Sequence, residues 1–238
     1  MQTTEIEVPT PDGPMPLYRA VPDATPRAAV IVIQEAFGVN DHIEDVTRRF
    51  AAAGYLAVAP HIFHRSGGGS VEYGNFEKIM PHFQALSDNK ILDDVDAALA
   101  EIGTAGIPPE RTSIVGFCFG GRVAFLAAVS RKLAAAVGFY GGGIVTGRSG
   151  AMPSLLDRIP GIETPWLGLF GDKDAHITVD EVENLRAALR GAPVDTDVIR
   201  YAEADHGFHC DARESYHSES AADGWRRTLE WIASHQPA

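Results

Sequence analysis

The chain has little cysteine and no long hydrophobic run. Only Cys118 and Cys210 occur among 238 residues, too few for the disulfide framework of a small secreted domain. The longest aliphatic run, residues 28–33, is far shorter than a membrane span. The opening residues, MQTTEIEVPT, have neither the basic nor the apolar region of a secretory signal. We therefore expect a cytoplasmic protein in a reducing compartment, with no membrane segment.

Basic residues are also scarce. The chain has 20 Lys and Arg against 32 Asp and Glu, which gives a formal net charge of −12. Nucleic-acid binding needs clustered basic side chains, and anionic membrane surfaces disfavour an acidic chain for the same reason. The composition therefore argues against nucleic-acid and membrane partners. The expected assembly is a monomer or a small homo-oligomer.

Short apolar runs alternate with amphipathic stretches along the chain. Residues 4–8 and 15–21 flank an Asp-Gly turn, which predicts an antiparallel hairpin. Continuous apolar, β-branched runs are typical of parallel strands buried on both faces. The remaining strands are predicted within residues 28–34, 55–60, 108–116, 134–143, 164–174 and 194–201.

Helices are predicted between these strands, at residues 43–53, 91–102, 118–130, 179–190 and 220–235. Asn40 or Asp41 can cap the first, and Gly54 ends it. Residues 61–89 have a weaker pattern with the Gly-rich SGGGS, which predicts a loop with a short helix. The alternation of strands and helices implies an α/β fold, with a mainly parallel central sheet covered by helices on both faces. Residues 1–238 are expected to form one domain.

The stretch GFCFGG, residues 116–121, predicts a sharp turn from a strand into a helix with Cys118 at its apex. Gly116 and Gly120 stand where side chains would collide in such a turn. The turn would place the Cys118 sulfur at a helix N-terminus, where backbone N–H groups stabilise negative charge. A free cysteine on its own is more often a buried structural residue. The glycine pattern and the later Asp and His favour a nucleophile.

The other reactive groups follow later strands, whose carboxyl ends meet at one edge of a parallel sheet. His206, in DHGFH, is the candidate base. Nucleophile, Asp and then His is the order of the α/β-hydrolase fold. Asp174, which closes GDKD, is the preferred acid, and Asp172 is the main alternative to it. Asp205 is a weaker rival, because adjacent side chains seldom face each other in a loop.

The segment QEAFG, residues 34–38, brings a further carboxylate to the same edge. The backbone N–H groups of Phe119 and Ala36 are the candidate oxyanion-hole donors, the first because it follows the nucleophile. A carboxylate directly after a buried strand must have a partner or a purpose. Glu35 is therefore expected either to pair with an arginine of a neighbouring loop or to lie near the thiol.

The segments IQEAFGVN, GFCFGGR, FYGG, GDKD and HGF together resemble the dienelactone hydrolase family, over about residues 15–235. The resemblance implies an α/β-hydrolase that cleaves a small ester or lactone through a covalent acyl-enzyme. It implies a triad of Cys118, Asp174 and His206. It also implies that Glu35 lies beside the resting thiol and takes its proton when substrate binds. Tyr140 matches a pocket residue of the family, and Phe37 and Tyr140 are the expected substrate contacts.

The chain departs from the family's best-known members at the arginines that bind the substrate carboxylate. One of those follows the catalytic His by four residues, a position that is Cys210 here, with Arg213 nearby. Residues 61–89 carry Arg65 but do not otherwise match an arginine-bearing helix.

Other function classes have less support. His61, His64 and His209 come without a ligand set of convincing spacing, so neither a metal nor a cofactor is expected. A non-catalytic ligand-binding protein on the same fold is one alternative. A redox-sensing protein that forms a Cys118–Cys210 disulfide is another.

Overall fold

The computed structural model describes residues 1–237. Its eight strands are β1 (Gln2–Thr10), β2 (Gly13–Val21), β3 (Ala29–Ile33), β4 (Leu56–Pro60), β5 (Thr112–Phe117), β6 (Ala135–Phe139), β7 (Trp166–Gly171) and β8 (Thr196–Tyr201). They form one sheet in the order β1-β2-β4-β3-β5-β6-β7-β8. In this order, every neighbouring pair from β4 to β8, including β3, is parallel. Strand β2 is antiparallel to both of its neighbours, β1 and β4. The predicted mainly parallel sheet and the N-terminal hairpin are confirmed.

Six α-helices accompany the sheet within the described residues: α1 (Asp41–Ala52), α2 (Phe76–Gln84), α3 (Asp88–Thr104), α4 (Phe119–Ala128), α5 (Val179–Leu189) and α6 (Ser218–Ser234). Every residue of β3 to β7 is buried, so helices and loops cover both faces of the central strands. No helix of this part of the chain is both long and apolar enough to cross a membrane.

Two helix starts show how capping side chains set the boundaries. Asn40 accepts a hydrogen bond from the Ile43 N–H at 3.2 Å, so it is the cap of α1 that the sequence left open between two residues. The third helix begins earlier than the predicted residue 91. Ser87 caps it by accepting from the Lys90 N–H, and Asp88 is its first residue. The apolar periodicity misses this first turn because its residues are polar.

The weakly patterned stretch 61–89 contains more regular structure than the predicted loop with one short helix. A 3-10 turn, Ile62–Ser66, precedes α2. Between them Gly67, Gly68 and Gly69 all have positive φ, a conformation that side chains strongly disfavour. These glycines belong to the connection between the 3-10 turn and α2.

Candidate active site

Cys118 lies in the sharp turn that the sequence predicts between β5 and α4. Its φ of 55° and ψ of −115° fall outside the regions that non-glycine residues prefer. The residue is the N-cap of α4, whose first N–H groups have no partner within the helix, and its side chain makes no capping hydrogen bond. Backbone strain held at such a point commonly marks a functional residue.

The glycines around this turn are sterically required. A Cβ on Gly116 would lie 1.8 Å from the Gly120 carbonyl oxygen. A Cβ on Gly120 would lie 2.5 Å from the Ile33 carbonyl oxygen, at the end of β3. The close contact with backbone on both sides confirms the predicted reason for these two glycines.

We therefore expect Gly116→Ala to lower the free energy of unfolding by at least about 3 kcal/mol, because backbone must shift to admit the methyl group. Gly103→Ala is the matched control. Gly103 lies in α3 with open space around the added Cβ, and alanine is the better helix former, so this change is expected to be neutral or slightly stabilising. Urea denaturation measures both variants, and equal midpoints would contradict the steric account.

Cys118, His206 and Asp174 form one connected array. The Cys118 Sγ lies 3.1 Å from His206 Nε2, and His206 Nδ1 lies 2.7 Å from Asp174 Oδ2. The second oxygen of Asp174 accepts hydrogen bonds from the backbone N–H groups of His176, at 2.8 Å, and Ile177, at 3.1 Å. Asp174 is thus held in a fixed orientation that points one oxygen at the imidazole.

The ambiguity among the aspartates is resolved by geometry. Asp172 forms a bidentate ion pair with Arg200, with N···O distances of 2.7 and 2.8 Å. Asp205 accepts from the His206 backbone N–H at 2.6 Å. Asp174 is therefore the carboxylate that orients the His206 ring among the three considered.

The environment of His206 favours its protonated form. Burial alone would lower its pKa, but the adjacent Cys118 sulfur and the Asp174 carboxylate raise the pKa to about 10. At neutral pH an imidazole with such a pKa carries two N–H groups. One points at Asp174 and the other at the Cys118 sulfur.

Glu35 pairs with an arginine and not with the thiol. Its side chain has no exposed surface, and Arg213 Nη1 donates to Glu35 Oε1 at 3.2 Å. Burial raises the Glu35 pKa, while Arg213 acts in the opposite direction. Within residues 1–237, hydrogen bonds join Sγ of Cys118 to His206, and none joins it to Glu35. The contact with the thiol that the family resemblance implies is absent, and the arginine-paired alternative describes this structure.

The candidate oxyanion donors belong to two different segments, the start of α4 and the loop after β3. Phe119 is the first residue of α4, where an N–H has no partner within the helix. Ala36 lines the same cleft as Cys118, on the loop that follows β3. The Val71 N–H donates to the Phe37 carbonyl oxygen at 2.8 Å, which ties that loop to the segment before α2.

The thiol opens into a cleft of about 620 Å³. The α2 side of this cleft is apolar, with Phe76, Ile79, Met80 and Phe83. Phe76 and Met80 are 66% and 54% exposed, an unusual amount of accessible apolar surface for an ordered helix. The lining also includes polar groups, among them His176, Arg148 and Arg213.

The two predicted substrate contacts differ in position. Phe37 lines the cleft. Tyr140 has no exposed surface and lies next to His206, with 5.1 Å between the two ring centroids. Its backbone, directly after β6, is left-handed, with a φ of 38°. The structure therefore places Tyr140 outside the cleft lining, whereas Phe37 lies within it.

Two residues noted in the sequence have structural partners elsewhere. Arg65 pairs with the buried carboxylate of Asp94 in α3, at 2.6 Å, and lies outside the cleft lining. Cys210 is buried, and its sulfur lies 3.2 Å from the Tyr73 hydroxyl. Both cysteines are free.

The described part of the chain contains no cluster of three or more His, Cys, Asp or Glu placed to hold a metal ion.

Sequence reasoning did not single out Arg148, His176 or the apolar face of α2 as parts of this cleft. Arg148 and His176 come after β6 and β7, so their position beyond the carboxyl ends of strands was a usable signal. No comparable signal existed for Phe76 and Met80, since they lie in the weakly patterned stretch 61–89.

Known proteins resemble this chain over most of its length. A model of the dienelactone hydrolase family matches residues 15–236. A Yersinia pestis protein named "Putative carboxymethylenebutenolidase" is 39% identical over 236 residues, which cover 97% of this chain and 88% of that protein. A Bradyrhizobium protein named "Probable 2-oxo-3-(5-oxofuran-2-ylidene)propanoate lactonase" is 34% identical, covering 92% and 88% of the two chains. The crystal structure of a Klebsiella pneumoniae protein named "Putative Dienelactone Hydrolase" has a TM-score of 0.90 at 40% identity, covering 98% of each chain.

Proposed function

Since the chain belongs to the dienelactone hydrolase family, and is thus an ester or lactone hydrolase of the α/β-hydrolase fold, we propose that Cys118 is its nucleophile. The single observation that carries the proposal is the connected array of Cys118, His206 and Asp174 at a strained strand-to-helix turn. A nucleophile in contact with a base, which a third group orients, is the arrangement that covalent acyl transfer requires.

In acylation, the proton of the Cys118–His206 pair lies on His206 Nε2, 3.1 Å from the sulfur, when the sulfur attacks. The Cys118 sulfur bonds to the ester carbonyl carbon, and the negative charge that moves to the carbonyl oxygen is stabilised by the N–H groups of Phe119 and Ala36. When the carbon–oxygen bond of the ester breaks, His206 donates its Nε2 proton to the departing alkoxide. The products of this step are an alcohol, a thioester on Cys118 and a neutral His206. In a lactone the alcohol stays on the acyl chain.

Deacylation reverses the proton transfer. Water attacks the thioester carbonyl and gives one proton to His206, which becomes protonated again. The carbon–sulfur bond then breaks, the acid leaves, and Cys118 returns to the thiolate. Asp174 accepts a hydrogen bond from Nδ1 throughout and stabilises the positive charge on the ring.

Glu35 acts through Arg213 in this proposal. His206 lies within hydrogen-bond distance of the sulfur and can hold the thiol proton, so proton transfer to Glu35 is not required. Glu35 instead holds the Arg213 side chain in the wall of the cleft, and Arg213 bonds one of the two oxygens of a carboxylate that burial would otherwise destabilise. Glu35 is thus a positioning residue in the state that the structure describes.

The raised His206 pKa predicts the pH dependence. The protonated ring is the acid for the leaving group, and it loses its proton only as the pH rises through about 10. We therefore expect kcat/KM for a neutral ester to stay constant through neutral pH and to fall as the pH rises toward about 10. A pH–rate profile with background hydrolysis subtracted measures this. Activity that stays flat well beyond that pH would show that a protonated His206 is not required.

Stopped-flow kinetics with 4-nitrophenyl acetate test the proposal. We expect a burst of nitrophenolate that approaches one equivalent per enzyme, followed by slower steady-state release. Stoichiometric iodoacetamide should remove both phases. A parallel panel of neutral lactones, anionic lactones and aryl esters would identify the preferred class. Hydrolysis of none of them, with tight ligand binding retained, would instead favour the non-catalytic alternative.

A further inference from the structure

One face of α2 is apolar along its whole length and lines the cleft. Its side chains recur at the spacing i, i+3, i+4 and i+7, which places them on the same side of a helix: Phe76, Ile79, Met80 and Phe83. Ile79 is buried and Phe83 is partly buried, whereas Phe76 and Met80 are each more than half exposed. Exposed apolar side chains that line a concave site are typical of ligand contact.

Other residues hold α2 on the protein. The ring of Phe83 lies edge-on to that of Phe119, with 4.9 Å between the centroids. The ring of His82 stacks on that of Phe63 at 4.5 Å, and its Nδ1 lies 2.6 Å from the hydroxyl oxygen of Ser66. The two exposed residues of the apolar face are therefore not the ones that anchor the helix, and their replacement should leave the fold intact.

The apolar face of α2 is continuous with the nucleophile. Ala36, Phe37 and Ile79 form a small buried cluster, and the side chain of Cys118 packs against it. The Phe76 ring lies beyond this cluster, with its centroid 6.4 Å from that of Phe37. A series of apolar contacts thus leads from the thiol to the exposed end of α2. A group attached to the reacting ester can lie along this surface.

Charge gives the cleft no net attraction for an anion. The Cys118–His206 pair is neutral overall wherever its proton lies. Within residues 1–237, the other fixed charges that line the cleft, or that pair with groups lining it, are two arginines and three carboxylates: Arg148, Arg213, Glu35, Asp174 and Asp205. An uncharged ligand loses nothing by entering such a site, and the α2 face offers it apolar contact.

We infer that Phe76 and Met80 are specificity-determining residues that bind an uncharged apolar group of the substrate, an alkyl chain or a ring, beside the bond that is cleaved. The inference rests on the proposed hydrolase function of the same cleft. It names the substrate class as esters or lactones with a hydrophobic substituent, and it assigns the recognition of that substituent to the exposed end of α2.

Two series of straight-chain esters test this inference. The 4-nitrophenyl esters of acetate, butyrate and hexanoate lengthen the acyl side of the cleaved bond, and ethyl, butyl and hexyl acetate lengthen the alcohol side. The measured quantity is the ratio of kcat/KM for the longest ester to kcat/KM for the shortest, below micelle-forming concentrations and with spontaneous hydrolysis subtracted. Dividing by the shortest ester removes general losses of activity or folding.

For the wild-type protein we expect this ratio to be about tenfold in at least one series. Each series adds several methylene groups, and a methylene that is about half buried on binding raises affinity by about twofold. The series that shows the increase identifies which side of the cleaved bond lies against α2.

Phe76→Ala and Met80→Gln should each lower that ratio about threefold, almost entirely through the longer ester. Gln has nearly the length and helix propensity of Met, so the second change removes apolar character and little else. Met80→Leu keeps an apolar side chain and should keep the ratio close to wild type. Lys78→Gln is the matched control, because Lys78 is exposed on the same helix but outside the cleft lining. It should leave both ratios unchanged.

The outcomes separate this inference from the proposed function. Ester turnover with ratios near one in the wild type, or unchanged in Phe76→Ala and Met80→Gln, would overturn the inference and leave the hydrolase proposal standing. An equal fall in Lys78→Gln would show a general effect on α2 and would also overturn it. Dissociation of an oligomer by Phe76→Ala in analytical ultracentrifugation, with unchanged ratios, would show that a second copy of the chain covers this face instead. If the wild-type protein hydrolysed none of the esters, the proposed function would fall, and the inference with it.

Discussion

Replacing Cys118 with alanine is expected to lower kcat for 4-nitrophenyl acetate by at least about 10³-fold, because no other group can form the acyl bond. The sulfur is the atom in contact with His206, and alanine removes it while keeping the backbone turn. Steady-state kinetics with background subtraction measure the loss. The thermal midpoint of the variant shows whether it has folded.

Cys118→Ser is the informative companion, because it keeps a nucleophilic atom of nearly the same size. A hydroxyl is a far weaker acid than a thiol, so it does not give its proton to His206 at rest, and we expect activity well below wild type. The account fails if folded Cys118→Ala retains kcat within a few fold of wild type. In that event another residue would carry out the chemistry.

Replacing Asp174 with asparagine is the second large expected effect. We predict a fall in kcat of about 10² to 10⁴, since an amide can hold the ring but does not stabilise its positive charge. Asp172→Asn is the matched control two residues away. It breaks a partly exposed ion pair with Arg200 and should cost about 1 kcal/mol or less of stability, with kcat close to wild type.

The pH–rate profile of Asp174→Asn adds a readout that a loss of folding would not produce. The Asp174 carboxylate is one of the causes that raise the His206 pKa. Its removal should therefore move the alkaline fall in kcat/KM to lower pH. Equal losses in the Asp172 and Asp174 variants, or an unshifted alkaline limb, would show that Asp174 does not orient the base.

Most of the fold was predictable because its central strands are continuous apolar runs. Strands such as β3 and β5 are buried on both faces, so their continuous apolar sequence identifies them as strands. The turn at Cys118 was predictable because only glycine fits at Gly116 and Gly120. The order of Cys118, Asp174 and His206 along the chain then indicated which strand ends meet.

The site predictions that differed from the structure depended on contacts between segments far apart in the sequence. Glu35 and Arg213 are 178 residues apart, and no local pattern shows that they pair. Tyr140 was expected in the pocket because it matches a pocket residue of the family, but its ring is buried against His206. Arg148 lies in a glycine-rich loop whose path cannot be inferred from periodicity. Its proximity to Phe119 appears only in three dimensions.

The most direct test of the account is identification of the residue that carries the acyl group. The enzyme is mixed with excess 4-nitrophenyl acetate, quenched in acid during the burst and digested, and the peptides are mapped by mass spectrometry. We predict one acetyl group on the peptide that contains Cys118, removable by neutral hydroxylamine as expected for a thioester, and none on the Cys210 peptide. Acetylation at any other residue during a kinetically competent burst would contradict the assignment of Cys118 as the nucleophile.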